Sequence, residues 1–135
     1  MSTPTPKEIF LKSLDRCTQS SEFIPTFYDR FIASSPEVRR KFAHTDFAKQ
    51  NKMLLRSLKL AAAATAGESE GLREITERAK SHDRRHLNIK SHLYELWRIA
   101  LLDAARRFDK QWDTTTEAAW NTILGHVIHR MIKFY

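Results

Sequence analysis

At 135 residues, with hydrophobic residues at 41% and a net charge of +7, the chain has room for one packed domain, expected to span 1–135. Three glycines and four prolines, the prolines all within the first 36 residues, supply too few turns for a β-sandwich. No apolar run approaches the roughly 20 residues that cross a bilayer. The opening MSTPTPKEIF lacks a secretory pattern and the lone Cys17 has no internal partner, so a cytoplasmic location without a membrane is expected. The basic residues are spread along the chain, and their densest patch, Arg84 and Arg85, is short. That distribution argues against a nucleic-acid footprint and leaves an anionic cofactor or an acidic redox partner.

Thr5 and Pro6 open the first predicted helix, which places Phe10, Leu14 and Cys17 on one face. TQSSE ends it. A second helix from about Glu22 to Ala33 carries Phe23, Phe27, Tyr28 and Phe31. Ser35 and Pro36 start a short third helix reaching Phe42, with Glu37 suited to its dipole. Asp46 caps a fourth, with Phe47, Gln50, Leu54, Leu58 and Ala61, to about Ala66. Gly67 to Gly71 reads as a loop. The fifth helix starts near Leu72, and its stripe Leu72, Ile75, Ala79 leads to His82. Arg84 to Lys90 reads as an irregular connection. Ser91 opens a sixth helix with Leu93, Trp97, Leu101 and Phe108 inward. DKQWD separates it from a seventh, for which Thr114 and Glu117 form a capping box and Trp120, Ile123, Val127 and Met131 the inner face. No strand candidate remains, so the fold class is all-α, about seven helices.

Few residues carry chemistry. His82 ends an apolar stripe, where an imidazole is either a satisfied core residue or a ligand. His86 lies four residues on, a spacing compatible with zinc, but a third ligand would have to come from His92 or His44, and there is no HExxH glutamate. His126 and His129 suit a surface or groove. Tyr28 sits among three phenylalanines and fills core or offers its hydroxyl. Gln50 and Leu54 share a helix face; Gln50 is either exposed or an inward amide that needs a partner.

The segment FYDRFIASSPEVRRKF resembles the second and third helices of bacterial single-domain globins and of the globin domain of flavohaemoglobins. Tyr28 falls at that family's distal tyrosine. Phe42, fourteen residues on, falls at its haem-packing phenylalanine, and Gln50, eight further, at the distal gate, with Leu54 one turn beyond. His82, thirty-two residues past Gln50, falls at the proximal ligand. HDRRHLNIKSHLYELW resembles the proximal corner, and Trp120 in EAAW the start of the last helix. The resemblance covers about residues 10 to 132.

The resemblance implies a three-over-three globin fold around haem b (iron protoporphyrin IX), with His82 on the iron. Tyr28 and Gln50 would hydrogen-bond a bound gas. Leu54, Phe27, Phe42 and Phe47 would exclude water, and His86 with Arg84 or Arg85 would meet the propionates. Oxygen, nitric oxide and carbon monoxide are the implied ligands, and conversion of nitric oxide to nitrate the implied enzymatic reading. A haem-based sensor acting through a separate partner and a haem-free basic helical adaptor are the alternatives. Two features depart from the flavohaemoglobin pattern. The stretch from His82 to Ile89 is two residues longer, which shifts Tyr94 relative to the family's proximal tyrosine, and the last acidic residue, Glu117, starts the final helix where the family carries a glutamate within it. No flavin or nicotinamide module follows Tyr135, so a separate reductase is expected.

Overall fold

The helix starts are set by side-chain oxygens that take up the first free backbone N–H groups. In the computed structural model, which describes residues 3–135, Thr5 Oγ1 accepts from Glu8 N at 3.2 Å and Ser35 Oγ from Glu37 N at 3.1 Å. Asp46 Oδ1 accepts from Lys49 N at 3.4 Å. The resulting order among the described residues is α1 Pro6–Thr18, α2 Phe23–Ala33, α3 Pro36–Lys41, α4 Phe47–Thr65, α5 Ser69–His82, α6 Ser91–Phe108 and α7 Thr114–Lys133, with no strand.

Two boundaries differ from the sequence expectation. The cap of α7 is Asp113, whose Oδ1 accepts from Thr116 N at 2.8 Å, so Thr114 is the first helical residue rather than the cap. The loop read at Gly67 to Gly71 is shorter. Gly67, at φ +83°, closes α4 with Gly67 N→Ala64 O (2.9 Å) and Glu68 N→Ala63 O (3.0 Å), a left-handed glycine stop. The chain turns straight into α5 at Ser69, and Gly71 lies buried inside that helix. A Cβ on Gly71 would stand 2.4 Å from both Ala64 N and Leu60 O, so the missing side chain lets α5 lie directly on the α4 backbone.

Helix α1 packs on α7, α2 on α6, and α4 on α5, while α5 also meets α7. Phe10 and Trp120 join α1 to α7 with ring centroids 4.6 Å apart. Beside them is a buried polar knot. Asp109, just past α6, accepts from Ser13 Oγ and Arg16 Nε at 2.6 Å each, and Trp120 Nε1 donates to Ser13 Oγ at 2.9 Å. Burial alone would raise the Asp109 pKa, but the Arg16, Ser13 and Gln111 N–H bonds hold it below the usual carboxylate range. This knot fastens one end of the bundle. Elsewhere α4 and α5 line a cavity, and among the described residues no helix is long and apolar enough to cross a membrane.

Candidate functional site

The cavity has a volume of about 460 Å³. From α2 come Tyr28 and Phe31, from α4 Gln50, Met53, Leu54 and Ala61, and from α5 Ile75, Arg78, Ser81 and His82. Leu93, Tyr94 and Trp97 of α6 and Val127 and Met131 of α7 also line it, with Phe42 at the end of α3.

His82 is the last residue of α5. Its Nδ1 lies 2.7 Å from the Arg78 carbonyl and 2.9 Å from Ser81 Oγ. A carbonyl only accepts, so Nδ1 carries the proton and Nε2 keeps its lone pair on the cavity side of the ring. Burial lowers the His82 pKa, the Arg78 carbonyl opposes this, and the Arg78 charge adds to it; the net effect favours the neutral ring that a metal needs. The corner after it is firm: Ile89 N donates to His82 O at 3.0 Å and Asn88 N to Asp83 O at 2.8 Å, with Asn88 left-handed at φ 52°.

Tyr28 is 3% exposed. The rings of Phe27, Phe47 and Phe42 stand 4.7, 5.4 and 5.6 Å from its own. Burial pushes its pKa up to about 12, while the Gln50 side chain lies near enough to counter this in part without a well-aligned hydrogen bond. The phenol therefore stays protonated and able to donate. Gln50 is half-buried and turned toward the cavity, which resolves the choice left open by its sequence position.

Of the residues singled out from sequence, Tyr28, Phe42, Gln50, Leu54, His82 and Tyr94 are brought together on the cavity. Arg84, Arg85 and His86 are not. The spacing of four from His82 to His86 would share a face only if α5 continued, and it ends at His82. Asp83 Oδ1 instead accepts from the backbone N–H of Arg85 (3.0 Å) and His86 (3.1 Å) and bonds His86 Nδ1 at 2.7 Å, drawing both into an exposed turn. Arg84 lies over the Tyr135 ring, 5.2 Å from its centroid. Phe27 and Phe47 back Tyr28 rather than line the cavity, and His44 is exposed. Among the described residues no three His, Cys, Asp or Glu side chains gather as a metal site. Tyr94 is buried, which raises its pKa, and packs with Ala79 and Met131; it does not bond His82 Nδ1. Sequence reasoning missed Lys41, Glu74, Arg78 and Ser81 in the lining. Only Arg78, one turn before His82, had a spacing that could have revealed it.

This donor set fits one flat apolar ring with a central iron. A single neutral imidazole lines a mostly apolar space, and among the described residues no thiol or second imidazole joins it. Residues 25–131 match the Globin family model. The chain belongs to the globin family. Protein PA3967 of Pseudomonas aeruginosa PAO1, described as structurally highly homologous to a human hemoglobin, is 33% identical and superposes with a TM-score of 0.92 over 97% of this chain and 98% of that one. No curated protein matches. Globins bind haem and small diatomic ligands, and this globin has a cavity of suitable chemistry between α4 and α5.

Proposed function

We propose that this globin holds haem b through His82 Nε2, binds a diatomic gas on the face toward Tyr28 and Gln50, and converts nitric oxide to nitrate when the gas is oxygen. The observation that carries the reading is the meeting, in one apolar cavity, of a neutral imidazole with fixed tautomer and a protonated phenol beside an amide. Haem would supply an iron with one open position for the gas.

The rest is the work of the chain. A bound gas that takes on negative charge gains from donors in a dry pocket, and the Tyr28 hydroxyl and Gln50 amide are such donors. Leu54 and Phe42 keep water from that charge. Nitric oxide entering the same cavity would meet oxygen already held in place. On the other side, both Nδ1 partners of His82 are neutral, so the imidazole gains no carboxylate push, and peroxidase activity should be low. Each turnover would consume one electron, so continued turnover would call for an electron donor.

The test is to mix oxygen-saturated, reduced protein with one equivalent of nitric oxide. One equivalent of nitrate and full oxidation of the iron are expected within the first cycle, and a second equivalent of nitric oxide should yield further nitrate only when a flavin reductase and its nicotinamide electron donor are added with it. Absent or slow nitrate would remove the dioxygenase reading and leave reversible gas binding.

A further inference from the structure

The cavity is mostly apolar, yet two cations stand in its lining, and among the described residues neither has a carboxylate to itself. Arg78 Nε lies 3.4 Å from Glu74 Oε1, near enough for attraction but misaligned for a hydrogen bond, so this buried donor has no acceptor. Glu74 is also shared: Oε2 accepts from Arg56 Nη1 at 3.4 Å and Oε1 from the Ser57 hydroxyl at 3.5 Å. One carboxylate serves two guanidinium groups, and among the described residues neither has a second carboxylate partner. The cluster is one negative charge short. Lys41, the last residue of α3, donates to the Leu87 carbonyl at 2.7 Å and has no carboxylate partner among the described residues.

A buried charged donor without an acceptor, here Arg78 Nε, is costly, and an incoming carboxylate removes that cost, while the exposed Lys41 adds only its positive charge. We infer that Arg78 and Lys41 are the carboxylate-binding groups of the cavity, which is thereby built for a flat apolar ring bearing two carboxylates. The inference rests on the haem reading and specifies which residues hold the two propionates. It takes that role from Arg84, Arg85 and His86, which are engaged with Tyr135, Asp83 or solvent. Arg78 would then act twice: its carbonyl accepts from His82 Nδ1, and its guanidinium takes a carboxylate. Seating of the ring and orientation of the iron ligand would depend on one residue.

The experiment loads the full chain with haemin or with haemin dimethyl ester, whose carboxyl groups are uncharged. Transfer to an excess of a haem-free acceptor globin is followed by absorbance. The wild type should release the ester about tenfold faster than the diacid, the worth of a charge-assisted hydrogen bond. Arg78→Leu and Lys41→Met should each release the diacid several-fold faster and leave ester release unchanged. Arg84→Ala, Arg85→Ala and His86→Ala should change neither rate. Should Arg78→Leu loosen both rings alike, Arg78→Gln, which keeps a donor but not the charge, decides: a diacid-only effect supports the assignment and none overturns it. Equal release of both rings by the wild type, or a diacid-only effect confined to the Arg84, Arg85 or His86 variants, also overturns it. A protein that takes up neither ring refutes the haem reading instead.

Discussion

Tyr28 and Gln50 matter for a bound gas only if they donate to its charge rather than fill space. Tyr28→Phe removes a hydroxyl at nearly constant volume, and Gln50→Leu removes the amide. A hydrogen bond to a charged group contributes about 1.5–3 kcal/mol, so each change should speed oxygen dissociation by about tenfold or more, measured by stopped flow. Carbon monoxide dissociation should change far less, because that ligand carries less negative charge. Equal effects on both gases would mean that the side chains control access instead. That these two residues meet His82 and Phe42 on one cavity was legible in the sequence, because spacing along successive helices survives in the fold. That Arg84, Arg85 and His86 lie outside the cavity lining was not legible, because their place depends on where α5 stops. That stop is set by hydrogen bonds around Asp83, which periodicity does not reveal.

At the scale of the helix, α5 is placed by what Gly71 lacks. Its sequence surroundings, two glycines among polar residues, read as a loop, since glycine inside a helix costs about 1 kcal/mol. The close approach to the α4 backbone outweighs that cost, and only the tertiary structure shows it. Gly71→Ala should destabilise the protein by about 1–3 kcal/mol in urea unfolding, because the clash is with backbone that cannot rotate away. It should also speed haem loss, since α5 carries His82. Gly125→Ala in α7 is the matching control. A Cβ there meets nothing within 4 Å, and the change should be neutral or stabilise by up to about 1 kcal/mol. If Gly71→Ala proves as stable as Gly125→Ala, the α4–α5 contact is looser than the structure implies.

The whole molecule joins two differently built regions, an apolar cavity of about 460 Å³ and the Asp109 knot. The seven-helix order was readable from apolar periodicity and breakers, whereas the knot was not, because Asp109 lies 96 and 93 residues along the chain from its polar partners Ser13 and Arg16. The knot should set the acid limit of stability. The folded pKa of Asp109 is lowered, so its contribution is full above the ordinary carboxylate value near pH 4. It is lost as pH falls through the lowered value. Asp109→Asn should cost about 3 kcal/mol at neutral pH, by leaving Arg16 without its partner, and should flatten the fall in stability below about pH 4. Thermal melts of both proteins across that range would check the sign; an unchanged acid limb would assign the loss to other carboxylates.

All of this turns on His82 as the bond between chain and iron. The direct measurement is the absorption spectrum of the purified, haem-loaded protein after reduction, before and after carbon monoxide, beside that of His82→Ala. The wild type should show five-coordinate reduced iron that shifts fully on adding the gas. His82→Ala should lose haem by more than the roughly 10- to 100-fold that changes in outer partners cost a metal site. A wild type that takes up no haem, or a His82→Ala protein that keeps it with an unchanged reduced spectrum, would contradict the account.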